Sequence, residues 1–325
     1  TASYSLPGGV AGSSIAVADF NADGLDDLVV GSATTPQVFV LLNTKRPLFG
    51  EVTRTLETQT RDTLVGVAAG HLDSDSHIDI VAATRNACFA WRGRGDGNFE
   101  SVVVVARTTG PLRLLNVTAR GAVLFWEGNA ARAFCSRENG KAFVSCAEQT
   151  SSLPERLREF VNQIIGWNRS AFFADVTGDG VDDVAVLNET GAILVNGVFA
   201  YQDTENATSI FAGPKTPGSG HLVGTLSNEP LSGFLCLRQV KRKLHLCFFV
   251  DSHPMHAVVG KFTTTYLEEI ACVTGDGTVT MLREKPFRQK CPVKQKKKAR
   301  PKMKISRVQT YDERNVRMIG RKSVN

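Results

Sequence analysis

Short apolar segments alternate with polar turns along most of this chain. The segments 15–18 (Ile-Ala-Val-Ala) and 28–30 (Leu-Val-Val) flank one polar loop, and neither flank shows the period of a helix. The longest apolar segment, 244–250 (Leu-His-Leu-Cys-Phe-Phe-Val), has the length of a strand. No segment approaches the roughly 18 apolar residues that a membrane helix needs. The pattern therefore predicts an all-β fold without a membrane span.

The polar loop between the first two segments carries an oxygen-bearing side chain at every second position. Such spacing in a tight loop can direct several oxygens at one point, as Ca²⁺ requires. The candidate ligands are Asp19, Asn21, Asp23, Asp27 and, through its backbone carbonyl, Leu25. An EF-hand begins similarly, but it needs flanking helices and a glutamate where this chain has Val30. The loop therefore predicts a calcium site between two strands.

The same loop recurs twice. Residues 175–183 copy it closely, and residues 71–79 form a degenerate copy. The additional candidate ligands are Asp73, Asp75, Asp79, Asp175, Thr177, Asp179, Val181 and Asp183. The three loops start at residues 19, 71 and 175, which are 52 and 104 residues apart. A fixed period of about fifty residues is typical of a repeat architecture.

These loops resemble the calcium loops of FG-GAP (integrin-α-like, or VCBS) repeats, and the resemblance covers residues 10–285. It implies that each repeat forms one blade of a β-propeller. We therefore expect six or seven four-stranded blades over residues 1–285, with structural Ca²⁺ in the loops at 19 and 175. Whether the loop at 71–79 also binds metal stays open.

The other repeats lack a complete loop. In repeat three, the strands at 112–118 and 122–126 are joined by too few residues for a metal cage. Repeat five aligns residues 225–234 with the motif, and Gly233 stands where the last Asp belongs. Repeat six aligns residues 261–270, and Lys261 at the first ligand position would repel a cation.

Two further segments have predicted roles in the ring. Residues 4–6 (Tyr-Ser-Leu) are expected to complete the last blade and so close the propeller. Residues 153–165 carry apolar side chains on one face of a helix and form a predicted insertion. This helix packs on the rim or binds a partner.

The charge is distributed unevenly. Residues 285–325 contain fifteen Lys or Arg and two acidic residues, so this segment carries +13 and the remainder carries −7 of the net +6. A segment of this composition is extended by itself and can order on an anionic surface such as RNA. The predicted polyanion contacts are Lys294, Lys296, Lys297, Lys298, Arg300, Lys302, Lys304 and Arg307. A solubilising tail or a localisation signal is the alternative for residues 286–325.

Seven cysteines include two pairs, Cys135/Cys146 and Cys236/Cys247, with the same spacing of eleven positions. Each pair could face across a hairpin as a disulfide, or the thiols could be buried and free. Four sequons would permit N-glycosylation only in a secretory protein. They lie at Asn116, Asn168, Asn188 and Asn206.

No P-loop, zinc-protease motif or nucleophile elbow occurs in the chain. Residues 253–256 (His-Pro-Met-His) are interpreted as a polar turn, and the Arg-Gly-Asp triplet at 94–96 as part of a tight Gly-Asp-Gly turn. The sequence therefore indicates a protein without catalytic activity.

The leading hypothesis is a calcium-stabilised scaffold in an intracellular or organellar assembly, which binds other proteins and holds RNA or another polyanion with its tail. The alternative is an extracellular or cell-surface propeller for adhesion or glycan binding. The family resemblance, the sequons and the paired cysteines favour that alternative.

Overall fold

Strands that follow one another within a sheet pair antiparallel in this protein. The computed structural model describes residues 2–45, 49, 52–108, 112–117, 122–127, 130–137, 142–145, 170–188, 190–202, 207–216, 220–229, 232–239, 242–250, 253–263, 268–282 and 308–310. The predicted helix at 153–165 and almost all of the basic tail lie outside these residues.

The chain begins with β1 (Ala2–Ser5) and a 3₁₀ turn (Pro7–Gly9). Sheet one then contains β2 (Gly12–Ala18), β3 (Asp27–Ser32), β4 (Gln37–Leu41) and β5 (Arg54–Glu57). Sheet two contains β6 (Gly66–Gly70), β7 (Asp79–Ala83), β8 (Ala87–Trp91) and β9 (Val103–Arg107). Sheet three contains β10 (Leu112–Val117), β11 (Ala122–Glu127), β12 (Ala130–Arg137) and β13 (Ala142–Ser145).

Sheet four contains β14 (Ser170–Ala174), β15 (Asp183–Leu187), β16 (Ala192–Val195) and β17 (Val198–Gln202). Sheet five contains β18 (Ala207–Thr216), β19 (Gly220–Glu229), β20 (Ser232–Gln239) and β21 (Arg242–Val250). Sheet six contains β22 (Pro254–Gly260), β23 (Glu269–Thr274) and β24 (Thr278–Leu282). A last strand, β25 (Val308–Thr310), comes from the basic tail.

The first strands of these sheets form the closed centre of a β-propeller. They contact one another in ring order: β2 with β6, then β10, β14, β18 and β22, which returns to β2. The N-terminal strand β1 pairs antiparallel with β24 and is the outermost strand of sheet six. The predicted closure of the ring by residues 4–6 is therefore confirmed, because Tyr4 and Ser5 lie opposite Val279 and Thr278.

Apolar side chains pack between neighbouring sheets and hold the ring together. Phe20 and Val29 of sheet one share a buried cluster with Phe89 and Trp91 of sheet two. A second cluster joins Ile15 and Phe39 of sheet one to Phe262 and Met281 in sheet six. Each sheet therefore depends on its neighbours for burial, as is usual in repeat proteins.

The prediction of six or seven four-stranded blades needs correction. Within the described residues, five sheets are four-stranded blades, and the remaining sheet has five strands because β25 adds to the outer edge of β21. Strand β21 is nine residues long, whereas β5 and β13 have four residues each. A long edge strand presents unpaired backbone groups to which another strand can bind.

The alignment of repeat five was wrong. The calcium-type loops join the first and second strands of a sheet, but residues 225–234 include the hairpin between β19 and β20, its second and third strands. The polar turn expected at 253–256 is also wrong, because residues 254–256 begin β22. His256 therefore belongs to an innermost strand.

Candidate functional site

The three predicted loops occupy equivalent places in their sheets. Residues 19–26 connect β2 to β3, residues 71–78 connect β6 to β7, and residues 175–182 connect β14 to β15. We call them loop one, loop two and loop four after their sheets. Because each loop follows the innermost strand of a sheet in one ring, all three lie on the same face of the propeller.

The last aspartate of loop one anchors the loop to its sheet. The Asp27 side chain is fully buried, and its Oδ2 accepts the N–H of Phe20 at 2.9 Å. Its Oδ1 accepts the N–H of Asn43 at 2.7 Å. Burial, and to a smaller extent the charges of Asp19 and Asp23, raise the pKa of Asp27 to about 7 against the lowering effect of these hydrogen bonds. Within the described residues, the buried carboxyl group of Asp27 therefore has no positive charge beside it that would lower its pKa.

The other side chains of loop one fold the backbone into consecutive turns. Asp19 accepts the N–H groups of Asp23 and Gly24 at 3.1 and 2.8 Å. Asn21 accepts the same Asp23 N–H at 3.2 Å, so oxygens of Asp19 and Asn21 both lie within 3.2 Å of one nitrogen. The Leu25 side chain is 7% exposed and packs into the protein. The backbone carbonyl of Leu25 stays a predicted ligand.

Loop four repeats this plan. Asp183 is fully buried and accepts the N–H groups of Val176 and Thr177 at 2.9 and 2.7 Å. Asp175 accepts three successive N–H groups, from Gly178, Asp179 and Gly180. Its glycine at position 180 has φ +84, the value that Gly24 has in loop one. The two loops therefore share one backbone turn, which needs a residue that tolerates positive φ.

Loop two keeps the anchor but differs in its charges. Asp79 accepts the N–H groups of Leu72 and Gly93 at 2.6 and 2.8 Å, and burial raises its pKa. Arg92 Nη1 lies 3.8 Å from Asp73 Oδ2. His77 Nδ1 lies 3.5 Å from Asp75 Oδ2. Basic side chains thus lie beside two of the predicted ligands of loop two, Asp73 and Asp75.

The donor chemistry of loops one and four fits a hard cation. All side-chain donors are carboxylate, amide or hydroxyl oxygens, which Ca²⁺ prefers. Each carboxylate oxygen that accepts one N–H keeps a second lone pair for an ion. Among the described residues, however, no group of three or more His, Cys, Asp or Glu side chains is arranged to hold a metal. An ion would therefore have to draw these side chains closer together than their backbone hydrogen bonds place them.

Neighbouring sheets support loop one from both sides, which the sequence motifs did not show. Gly97 of sheet two donates its N–H to the carbonyl of Phe20 at 3.0 Å. On the other side, Asp26 accepts the N–H of Lys261 at 2.6 Å and donates its own N–H to the carbonyl of Lys261 at 3.2 Å. Lys261 was predicted to exclude a cation from repeat six. Its backbone here also fixes the loop of the first sheet.

Asn43 is the side chain that joins these supports. Its Nδ2 donates to the carbonyl of Phe262 at 2.6 Å and to the carbonyl of Asp26 at 3.2 Å, and the residue is 2% exposed. Sequence reasoning missed Asn43, because a single asparagine after a strand is common in turns.

The Arg-Gly-Asp triplet forms the tight turn that the sequence predicted. Arg94 donates its N–H to the carbonyl of Asn98 at 3.0 Å. The carboxylate of Asp96 accepts both the N–H and the Nδ2 of Asn98 at 2.9 Å. These hydrogen bonds lower the pKa of Asp96. The triplet therefore forms hydrogen bonds that stabilise its own turn.

A cavity of about 260 Å³ lies among the innermost strands. Its polar lining comes from His221, His256 and Glu268, and its apolar lining includes Phe172 and Phe211. His256 Nδ1 lies 3.0 Å from the carbonyl oxygen of Ile15, and burial lowers the pKa of His256. The described residues that line this cavity thus include a neutral imidazole and a carboxylate, but they include no nucleophilic side chain.

The disulfide reading is supported at Cys236, a member of one of the two predicted pairs. Cys236 is disulfide-bonded, and Cys247 lies directly opposite it across β20 and β21. Cys88 and Cys272 are free and buried. Cys135 pairs in register with Val144, while Cys146 lies outside the described residues. The predicted polyanion contacts from Lys294 to Arg307 also lie outside them.

Comparison with known families agrees with the loop-one geometry. Residues 11–38 match the model of the FG-GAP repeat. This range contains β2, loop one and β3, and it ends at the start of β4. No curated protein matches the chain at a significant level. Within the described residues, no helix has the length and apolar character needed to cross a membrane.

Proposed function

We propose that this FG-GAP repeat β-propeller is a non-enzymatic scaffold, which is stabilised by calcium and mediates protein–protein interaction in a larger assembly. Its basic tail docks on RNA or another polyanion. FG-GAP propellers commonly mediate protein interactions and are typically non-catalytic. The observation that carries the proposal is the position of loop one, which hydrogen bonds from sheets two and six fix on one face of the propeller.

Calcium would stabilise this face by neutralising clustered carboxylates. In loop one the ligands would be Asp19, Asn21, Asp23, Asp27 and the carbonyl of Leu25. In loop four they would be Asp175, Thr177, Asp179, Asp183 and the carbonyl of Val181. Burial is the main cause of the raised pKa of Asp27, and the negative charges of Asp19 and Asp23 add to it; a divalent ion would offset these charges.

Thermal unfolding with and without Ca²⁺ tests the calcium sites. We expect excess chelator to lower the Tm of the wild type, because binding to the folded state alone stabilises it by mass action. The double variant Asp23→Asn/Asp179→Asn removes one ligand charge from each loop and should show a smaller response. Asp62→Asn, at an exposed position outside the loops, is the matched control. An equal Tm for the wild type in chelator and in Ca²⁺ would contradict occupied sites.

The tail is proposed as the polyanion contact because residues 285–325 carry +13 beside a body of −7. The 325-residue chain and a chain ending at residue 285 should be compared for single-stranded RNA binding at several salt concentrations. The full chain should lose affinity with salt at a log–log slope of roughly −0.7 for each phosphate neutralised. Replacing Lys296, Lys297 and Lys298 by alanine should reduce this slope. Equal RNA binding by the full and shortened chains would refute the tail's role.

The disulfide of Cys236 favours a second candidate function, an extracellular or cell-surface propeller for adhesion or glycan binding. Disulfides persist mainly in oxidising compartments. This candidate predicts that protein from its native source changes gel mobility after reduction and after deglycosylation. It also predicts tighter binding to heparin-like glycans than to RNA at the same salt. Unchanged mobility in both treatments would leave the intracellular scaffold as the better candidate.

A further inference from the structure

Loop two differs from loop one by a partly buried positive charge beside it. Arg92 Nη1 lies 3.8 Å from Asp73 Oδ2, and Arg92 Nη2 contacts Glu100. The Asp73 side chain is 3% exposed and the Arg92 side chain 18% exposed. Since little water reaches this pair, salt screens it weakly. In the described part of the chain, no ion pair involves Asp19 or Asp23 of loop one.

Arg92 has a defined counterpart in sheet one. The residue that follows it, Gly93, donates its N–H to Asp79 Oδ1 at 2.8 Å. In sheet one, Asn43 donates its N–H to Asp27 Oδ1 in the same way at 2.7 Å. Leu42 therefore occupies the place of Arg92, and it packs with the apolar cluster around Phe20. One position next to the loop is thus apolar in sheet one and cationic in sheet two.

The sequences of loops one and two differ in a way that matches the change from Leu42 in sheet one to Arg92 in sheet two. Loop one has neutral Asn21 at its third position, whereas loop two has Asp73 there. Loop one begins with Asp19, whereas loop two begins with His71. The carboxylate at the third position is therefore the one that Arg92 pairs with. Loop two has no carboxylate at its first position, and Arg92 does not take the place of that carboxylate.

We propose that the guanidinium of Arg92 takes the place of calcium in loop two, so that this loop is a cation site filled by the chain itself. Two carboxylates pair with the guanidinium, Asp73 with Nη1 and Glu100 with Nη2. A divalent ion that entered the loop would have to displace it or bear its repulsion. The stability of sheet two is then independent of calcium, whereas loops one and four require the ion. The comparison with those loops rests on the proposed function.

Calcium stoichiometry by isothermal titration tests the exclusion. The wild type should bind two ions, in loops one and four. His71→Asp restores the missing first carboxylate but keeps Arg92, and it should still bind two ions. His71→Asp/Arg92→Leu, which gives loop two the first carboxylate of loop one and the apolar residue found at Leu42, should bind three. His71→Asp/Arg94→Leu removes an exposed arginine two positions away and serves as the control, with two ions expected. Three ions in His71→Asp alone, or two in the Arg92→Leu double variant, would overturn the proposal.

A thermodynamic cycle in chelator tests Arg92 without calcium. Arg92→Leu should lower the unfolding midpoint, because Asp73 is left buried without its partner. In an Asp73→Asn background the same substitution should cause a clearly smaller loss, since only Glu100, whose side chain is 39% exposed, then loses a charged partner. Equal losses in both backgrounds would overturn the proposal. If the wild type binds no calcium while the cycle shows coupling, the calcium part of the proposed function fails and Arg92 remains the internal cation.

Discussion

Replacing Asn43 by alanine should weaken the closure of the propeller. Asn43 lies in sheet one, yet its Nδ2 donates to the carbonyl of Phe262 in the connection between β22 and β23. The same Nδ2 donates to the carbonyl of Asp26 at 3.2 Å, and its Oδ1 accepts the N–H of Lys45 at 3.0 Å. Alanine removes all three hydrogen bonds and leaves the backbone N–H that binds Asp27 in place.

The size of the loss follows from the burial of these partners. The bond to Phe262 is buried, so its carbonyl is left without a partner and without water. An unsatisfied buried group costs about 1–3 kcal/mol, and a lost hydrogen bond of the ordinary kind about 1 kcal/mol. The bond to Asp26 is only partly buried, and Lys45 is exposed and can bind water. We therefore expect Asn43→Ala to lower the free energy of unfolding by about 2–4 kcal/mol.

Urea denaturation followed by circular dichroism and by tryptophan fluorescence measures this loss. Gln37→Ala is the control, because it removes an exposed hydrogen bond to Glu57 of 3.3 Å in the same sheet. That control should change stability by less than about 0.5 kcal/mol. If Asn43→Ala and Gln37→Ala shift the midpoint equally, the hydrogen bonds across the ring do not contribute as argued.

Two further predictions concern backbone strain and buried hydroxyls. Ala22 in loop one has φ +58, and the equivalent residue of loop four, Gly178, has φ +76. Ala22→Gly should therefore stabilise the protein by about 1 kcal/mol, as measured by chemical denaturation. Gly178→Ala should destabilise it by a similar amount. A lower stability of Ala22→Gly would contradict the strain. Within the described residues, the Ser14 hydroxyl is buried without a hydrogen-bond partner, whereas the Ser32 hydroxyl oxygen accepts the N–H groups of residues 34 and 35. Ser14→Ala should raise the Tm slightly, and Ser32→Ala should cost about 2 kcal/mol; the opposite order in calorimetry would be inconsistent with this assignment.

The loops show how far local sequence reasoning reached. The apolar segments 15–18 and 28–30, which flank loop one in the sequence, lie within the strands Gly12–Ala18 and Asp27–Ser32. In sheet five the motif was placed one connection too late, because residues 225–234 have no loop of the calcium type to fix the alignment. Strand position could thus be predicted where turn chemistry was strong and failed where only apolar alternation remained.

The sequence by itself determined the strands, the period and the carboxylate loops, because each depends on residues close together in the chain. Only the tertiary structure decided which side chains complete the loops. Asn43 and Phe262 are 219 residues apart, and Arg92 meets Asp73 only because β8 returns beside β7. The extra strand in sheet five likewise depends on β25 meeting an edge that its own sequence does not specify. Such contacts arise when the ring closes, and no local pattern of residues encodes them.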